Sequence, residues 1–248
     1  MESFFITDPG IVRDHNEDSV TVTKNLNGEY LLAVADGMGG HRGGEIASTI
    51  AITHIEESFK KINKLGNKEQ AIEFIKNIVS ESNLLIYEYT KIHPESTGMG
   101  TTIVLSVVTK EYLLFGNIGD SSGYVFKNKK MHKITTDHTL VNLLVKSGEL
   151  TPEEAQNHPR KNVLMKALGA SETVEMDVFD VETDVEGVFL CSDGLTNMLT
   201  EEQIARVLEE KLSIEEKLKK LICKSNNRGG LDNIAIAYLI KDGEKHDS

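Results

Sequence analysis

Four acidic clusters stand where apolar segments begin or end, and no other feature of the sequence constrains the fold as strongly. A carboxylate at the last residue of a buried strand leaves the core at the edge of the sheet, where rigid backbone holds it. Three or more carboxylates that converge on one edge repel each other strongly unless cations lie between them. The pattern therefore predicts a cation-binding edge. The clusters are Asn16-Glu17-Asp18, Asp36-Gly37 after residues 31–35, Asp193-Gly194 after residues 188–192, and Asp232-Asn233 before residues 234–238.

The chemistry of these clusters indicates which cations they suit. A single Asp-Gly is a common turn, but Asp36, Asp193 and Asp232 each adjoin a strand that is otherwise too apolar to tolerate a charge. Gly37 would also let a backbone carbonyl approach a cation closely. Oxygen ligands without Cys or His favour Mg²⁺ or Mn²⁺ over Zn²⁺. A pair of such ions can activate water against a phosphate ester.

Composition excludes several classes of function. The 248 residues are expected to form one large mixed domain, residues 1–248, and 39% apolar with 27% charged residues is typical of a soluble globular protein. No stretch approaches the ~18 consecutive apolar residues of a membrane span. The first five residues lack the basic and apolar regions of a signal peptide. Cys191 and Cys223 are expected to be buried reduced thiols, which favours the cytoplasm. A net charge of −12 argues against a nucleic-acid partner.

The pattern of turns and periodicity predicts an α+β fold. Asn27-Gly28 predicts a hairpin within residues 10–36, and capping boxes begin at Thr151, Thr200 and Ser213. Strand-rich blocks separated by helix pairs favour two antiparallel sheets covered by helices. Apolar spacing predicts helices over residues 43–62 and 68–92, and an antiparallel meander of strands over residues 101–108, 112–117 and 124–126.

Two other motifs imitate known active-site sequences. The glycine-rich residues 37–44 lack the Gly-Lys-Ser/Thr end of a phosphate-binding P-loop, so we interpret them as a tight loop before a helix. Residues 119–123 match G-x-S-x-G, but that nucleophile elbow needs a following helix. Here Tyr124-Val125-Phe126 predicts a strand, the second arm of a hairpin, so Ser121 is not expected to be a nucleophile. His138, after Asp137, is expected to cap or orient its neighbours rather than to bind metal.

Seven short motifs follow one another along nearly the whole chain: Arg13-Asp14-His15-Asn16-Glu17-Asp18, Ala35-Asp36-Gly37-Met38-Gly39-Gly40-His41, Gly98-Met99-Gly100-Thr101-Thr102, Gly119-Asp120-Ser121, Thr136-Asp137-His138, Ser192-Asp193-Gly194-Leu195 and Gly230-Leu231-Asp232-Asn233-Ile234. In this order they resemble the metal-dependent protein phosphatase family (PPM, or type 2C), in its bacterial branch. The resemblance implies a four-layer α-β-β-α sandwich with two central antiparallel sheets, and a dinuclear Mn²⁺ or Mg²⁺ site at one edge.

The resemblance also implies a role for each site residue. Asp36 would bridge both ions, the Gly37 carbonyl would bind one of them, and Asp193 and Asp232 would bind the other ion or both. Glu17 and Asp18 would hold metal-bound waters, and a metal-bridging water would attack phosphorus directly. Asp120, with Asp193, would form a third and weaker metal site. Arg13 would bind the substrate phosphate as a planar fork. A mobile flap is implied at about residues 143–164.

The resemblance implies a cytoplasmic, monomeric enzyme that acts on phosphoserine and phosphothreonine proteins, including a cognate Ser/Thr kinase. Two departures from the family pattern matter. Met38 replaces the histidine that is the proposed general acid in the animal branch, which leaves His41 or metal-bound water as alternatives. Ser122 replaces a usual arginine. Two other classes stay open: a phosphoprotein-binding regulator without turnover, and a metal-dependent hydrolase of small phosphate esters.

Overall fold

The computed structural model describes residues 1–40 and 42–241 of the chain, so the possible acid His41 lies outside the described residues. The strands within this part are β1 (Glu2–Asp8), β2 (Asp18–Lys24), β3 (Tyr30–Met38), β4 (Gly100–Thr101), β5 (Ile103–Val108), β6 (Leu113–Ile118), β7 (Ser122–Lys127), β8 (Lys130–Lys133), β9 (Asp177–Val181), β10 (Gly187–Cys191) and β11 (Ile234–Ile240). The α-helices are α1 (Gly43–Lys61), α2 (Lys68–Ile92), α3 (Leu140–Lys146), α4 (Pro152–Gln156), α5 (Asp193–Thr196), α6 (Glu201–Leu208) and α7 (Ile214–Asn226).

The strands form two antiparallel sheets. One sheet has the order β1-β11-β10-β7-β8, and the other has the order β2-β3-β5-β6-β9 with β4 paired to the end of β3. Alternation along β3 shows how the sheets are covered. Leu32 and Val34 pack between the two sheets, whereas Leu31, Ala33 and Ala35 face the cluster beneath α1 and α2. A strand buried on both faces reads as a continuous apolar run.

The opposite sheet follows the same rule. In β11, Ala235 and Ala237 face the space between the sheets, whereas Ile234 and Ile236 face α6 and α7. The predicted α+β sandwich of four α-β-β-α layers is therefore confirmed.

Within residues 1–40 and 42–241, no helix is both long and apolar enough to cross a membrane.

The three predicted capping boxes are present. The side chains of Thr151, Thr200 and Ser213 each accept a hydrogen bond from the backbone N–H three residues on, and the side chain at that later position binds back. Each cap contributes about 1 kcal/mol to helix stability. The helices predicted over residues 43–62 and 68–92 are confirmed as α1 and α2 to within one residue at their ends.

The predicted three-strand meander is wrong. β5 and β6 form a hairpin, but β7 lies in the opposite sheet, between β10 and β8. β7 is the first arm of a hairpin with β8 and not the second arm of one with β6, and Asn128 and Lys129 turn it with φ values of 52° and 62°. β5, β6 and β7 are buried on both faces, so their side chains carry no signal of which sheet they join.

Two smaller expectations also fail. Residues 10–17 are turns and bends rather than strand, and β2 begins only at Asp18. Cys191 is buried as predicted, but Cys223 is exposed. In α7 the buried positions include Leu218, Leu221 and Ile222, and Cys223 lies one residue beyond this face. The sequence reading also missed β1, β8, β9 and the short α5.

Candidate active site

The ends of four strands bring the acidic clusters to one edge of the sandwich. Asp18 begins β2 directly opposite Asp36 near the end of β3. In the other sheet, the Ser192 N–H at the end of β10 donates to the Ala235 carbonyl in β11 at 3.0 Å, which brings Asp193 near Asp232. The negative charges of Asp18, Asp193 and Asp232 all raise the pKa of the Asp36 carboxyl, after burial as the main cause. The structure thus places carboxylates from both sheets together.

Burial opposes ionisation of these carboxylates. Burial raises the pKa of Asp18 to about 8, and the charges of Asp193 and Asp232 add to the shift. Burial also raises the pKa of Asp36 well above its ordinary value, and next in importance is the negative charge of Asp18. The pKa of Asp193 is raised by burial and then by Asp232. Several negative charges in one low-dielectric edge are unfavourable unless cations compensate them.

Protein groups bind the carboxylates in this structure. Ser192 Oγ donates to Asp18 Oδ2 at 2.6 Å, Asn197 Nδ2 donates to Asp193 Oδ2 at 3.1 Å, and Arg13 pairs with Asp232. Among the described side chains, no set of three or more His, Cys, Asp or Glu groups is arranged as a ready-made metal site. The donors are nevertheless all oxygen and fit a hard cation. An ionised carboxylate has about four acceptor sites on its two oxygens, so these contacts leave acceptor sites for a cation.

Glycines let the backbone pack tightly against Glu17. A Cβ on Gly37 would lie 2.1 Å from the Gly44 carbonyl oxygen, and one on Gly44 would lie 2.8 Å from Glu17 Cδ. The Gly37 N–H donates to the Glu17 carbonyl at 3.1 Å, and the Glu17 carboxyl lies beside Gly44 in the first turn of α1. Burial raises the pKa of Glu17, and Arg13 opposes this shift. The described glycines of this segment therefore bring the end of β3 close to the start of α1, as expected for a tight connection before a helix.

Arg13 lies at the exposed rim of the cluster. Its Nη2 donates to Asp232 Oδ2 at 2.9 Å, and its Nε donates to the Leu231 carbonyl at 3.4 Å. The side chain of Arg13 is 51% exposed. The turn at residues 10–17 brings Arg13 to the same site as Asp18, which strict strand alternation would have prevented. An exposed guanidinium beside a carboxylate cluster can bind an arriving phosphate.

The buried amide of Asn233 holds this loop in place. Its Nδ2 donates to the carbonyls of Pro9 and His15 at 2.9 and 2.8 Å, and its Oδ1 accepts from the Glu17 N–H at 2.8 Å. One side chain thus connects β11 to both ends of the Arg13 loop. Sequence reasoning missed this role, although Asn233 directly follows a candidate ligand.

The loop that carries Asp120 is fixed on both sides. Thr102 Oγ1 lies 2.7 Å from Ser121 Oγ and accepts from the Asp36 N–H at 2.9 Å. On the other side the Gly119 N–H donates to His138 Nδ1 at 3.1 Å, and His138 Nε2 lies 3.1 Å from Asp177 Oδ2.

These contacts decide two predictions from sequence. His138 orients the Asp120 loop, as predicted. Ser121 is fully buried and β7 follows it, so it lacks the exposed strand-to-helix position of a nucleophile.

Asp120 itself is partly buried. Burial raises the pKa of Asp120 to about 7, and the negative charge of Asp193 is the next cause of this shift.

A cavity of about 550 Å³ adjoins the acidic edge. Asp120 and Asp193 form part of its wall, and Lys133, Asn142 and Lys161 lie among its other lining residues. The outer wall comes from α3, α4 and the turns beyond them, which include most of the predicted flap. The flap assignment itself stays a prediction.

Comparisons with known proteins agree with this geometry. The family model described as Protein phosphatase 2C matches residues 12–223. The chain is 40% identical over 240 residues to "Serine/threonine phosphatase stp" of Listeria welshimeri. This alignment covers 96% of this chain and 95% of the relative. The crystal structure of serine/threonine phosphatase Stp1 from Staphylococcus aureus matches with a TM-score of 0.91 and 34% identity, covering 98% of this chain and 95% of that chain. A crystal structure of the PstP catalytic domain in complex with two manganese ions matches with a TM-score of 0.83 and 32% identity, covering 96% of each chain.

Proposed function

The chain belongs to the protein phosphatase 2C family and is a protein serine/threonine phosphatase, and we propose that it hydrolyses phosphoserine and phosphothreonine by direct attack of water. Its substrates are phosphoproteins and its catalysis depends on metal. The observation that carries the mechanism is the convergence of carboxylates from both sheets at one edge, with Arg13 at the rim.

The proposed ligands are the residues of the acidic edge. Asp36 would contact two ions, the Gly37 carbonyl would bind one, and Asp193 and Asp232 would complete the pair. Glu17 and Asp18 would act through bound waters. When bound, Mn²⁺ or Mg²⁺ supplies the acidity that makes water a nucleophile near neutral pH and the positive charge that a phosphate transition state needs.

The protein groups have separable tasks in this proposal. Arg13 would release Asp232 and grip the phosphate through its planar fork. Ser192 would keep Asp18 in place, since its hydroxyl also accepts from the Ala235 N–H at 2.9 Å and so cannot swing freely. A covalent phosphoenzyme lacks a candidate nucleophile among the described site residues. Ser121 is buried, and burial raises the pKa of the Cys191 thiol far above neutrality.

We also propose a cellular setting for this activity. A cytoplasmic monomer that opposes a Ser/Thr kinase suits a phosphatase of this family. The two alternatives remain distinct in their predictions. A phosphoprotein-binding regulator would bind phosphopeptides without turnover, and a small-ester hydrolase would prefer nucleotides.

Hydrolysis of phosphothreonine peptides in Mn²⁺ is the test of the function. We expect turnover that EDTA abolishes, and phosphopeptides preferred over nucleotides. In H₂¹⁸O, a single turnover with enzyme in excess should place one ¹⁸O in the released phosphate, because water attacks phosphorus directly. Unlabelled phosphate in that single turnover would instead indicate cleavage of the C–O bond, and protein that retains ³²P after acid quenching would indicate a phosphoenzyme. Phosphopeptide binding without any release of phosphate would favour the regulator.

A third, weaker ion at Asp120 should bind more tightly as pH rises. We infer that Asp120 and Asp193 would share this ion. A carboxyl with a pKa near 7 holds a proton below that pH, and the cation must displace it. The Mn²⁺ affinity of the weak site should therefore rise about fivefold from pH 6 to pH 7, reach about tenfold by pH 8 and level off above that.

Calorimetric titration at pH 6, 7 and 8 measures this change. Asp120→Asn should remove the weak site and its pH dependence but keep the two tight ions. Asp184→Asn, which removes a surface carboxylate paired with Lys127, is the matched control and should titrate like the wild type. Loss of the tight ions in Asp120→Asn would contradict a separate third site.

A further inference from the structure

Three large aliphatic side chains are exposed together beside Arg13. Ile11, Val12 and Leu231 are 65%, 59% and 56% exposed. We call these three residues the aliphatic rim. Single exposed apolar residues are ordinary on protein surfaces, but a group that adjoins a binding site commonly marks an interaction surface.

The backbone of the aliphatic rim is fixed. The N–H groups of Ile11 and Val12 both donate to the Gly230 carbonyl, at 2.9 and 3.2 Å. A Cβ on Gly230 would lie 3.0 Å from Ile11 Cγ1, so the two segments pack closely. Asn233 closes the loop from both ends through Pro9 and His15. A pre-formed rim costs little conformational entropy when a partner binds to it.

The aliphatic rim and the phosphate-binding arginine share one support. Arg13 follows Val12 in the chain, and its Nε donates to the carbonyl of Leu231. A phosphoresidue held by this guanidinium therefore brings the rest of its own chain to the rim. Neighbouring residues of an extended chain are about 3.8 Å apart between Cα atoms, so the residues next to the phosphoresidue lie nearest to the rim.

We propose that the aliphatic rim binds an apolar side chain that lies one or two residues from the phosphorylated serine or threonine. The enzyme then prefers phosphoprotein sites flanked by residues such as Leu, Ile, Val or Phe. This inference rests on the proposed phosphatase function and on phosphate binding by Arg13. Apolar area removed from water would supply the preference, and the phosphate contacts would be common to all substrates.

A pair of phosphothreonine peptides tests the preference. The two peptides differ only next to the phosphothreonine, where one has Leu on both sides and the other has Gly. We expect the wild type to hydrolyse the Leu peptide with a kcat/KM about five- to tenfold higher. The change should lie mainly in KM, because the contact is the same in ground state and transition state.

Rim variants identify the surface that is responsible. Ile11→Ser, Val12→Ser and Leu231→Ser should each lower the Leu-to-Gly ratio, and the triple variant should bring it to about one. Leu26→Ser is the matched control, because Leu26 is 73% exposed but lies in the turn at the opposite end of β2 from Asp18. It should keep both rates and their ratio.

The outcomes separate this inference from the proposed function. Equal rates for the two peptides in the wild type, or an unchanged ratio in the triple variant, would overturn the role of the rim and leave phosphatase activity intact. A rim that instead joins two copies of the chain would show concentration-dependent sedimentation that the triple variant abolishes, with no change in the ratio. Failure to hydrolyse either peptide in Mn²⁺ would overturn both proposals.

Discussion

Asp36→Asn should abolish turnover and yet leave the metal-free protein at least as stable as the wild type. Asp36 is the proposed contact of both ions, so losing its charge weakens metal binding and the nucleophile together. The same charge opposes folding when no cation is present, because burial and then Asp18 raise the pKa of Asp36 above its ordinary value of 3.8. Below that value the folded and unfolded states are both protonated. As pH rises above about 4, the unfolded state ionises first and the metal-free wild type loses stability.

Thermal unfolding in EDTA and in Mn²⁺ measures both effects. At pH 7.5 in EDTA, we expect the Tm of Asp36→Asn to exceed that of the wild type by about 2–4 °C, which corresponds to about 1 kcal/mol in a domain of this size. Mn²⁺ should raise the Tm of the wild type strongly and that of the variant only slightly. Asp180→Asn, which removes an exposed carboxylate paired with Lys68, is the control and should have the same Tm as the wild type in EDTA and in Mn²⁺. Retention of more than a few per cent of activity at saturating Mn²⁺ would show that Asp36 does not hold both ions.

The sequence predicts those helices and strands whose side-chain pattern is specific to one kind of element. Buried strands and capped helices have local signatures, so α1, α2 and the three capping boxes could be placed from the sequence. The assignment of β7 to the opposite sheet could not be predicted. Residues 122–126 are buried on both faces, and an apolar run of this kind is compatible with either sheet. The chain changes sheets at Gly119, whose φ of +104° is a property of the folded backbone.

The candidate site divides in the same way. The acidic residues could be identified from the sequence because a charge next to a buried apolar strand is unfavourable unless a cation or another group compensates it. The groups that hold them, Ser192, Asn233 and Thr102, are small polar residues at strand ends, where many such residues serve only as caps or turns. Their partners are distant in sequence: 216 residues separate Asn233 from Glu17. Only the closed sandwich brings such pairs together, so their roles depend on the structure.

Arg13→Ala should lower kcat/KM roughly 10- to 100-fold and leave the tight metal sites intact. A charge-assisted fork to phosphate contributes about 1.5–3 kcal/mol, which corresponds to that loss. The pairing of Arg13 with Asp232 at 2.9 Å bears on the metal sites. Removing the guanidinium frees a proposed ligand, so Mn²⁺ affinity should stay the same or rise slightly. A variant that lost metal and substrate together would instead indicate a collapsed loop.

Arg13→Lys and inorganic phosphate test whether phosphate binding depends on the two-pronged hydrogen bonding of the Arg13 guanidinium. Lysine keeps the charge but loses the two-pronged donor, so Arg13→Lys should recover only part of the activity. Product inhibition by phosphate should weaken in both variants in parallel with substrate. If the guanidinium binds ground state and transition state alike, the loss appears mostly in KM. If it stabilises charge that develops at phosphorus in the transition state, kcat falls as well.

Arg206→Ala, at an exposed position of α6, is the matched control for loss of an arginine. Unchanged phosphate inhibition and unchanged kcat/KM in Arg13→Ala would show that Arg13 does not bind the substrate phosphate.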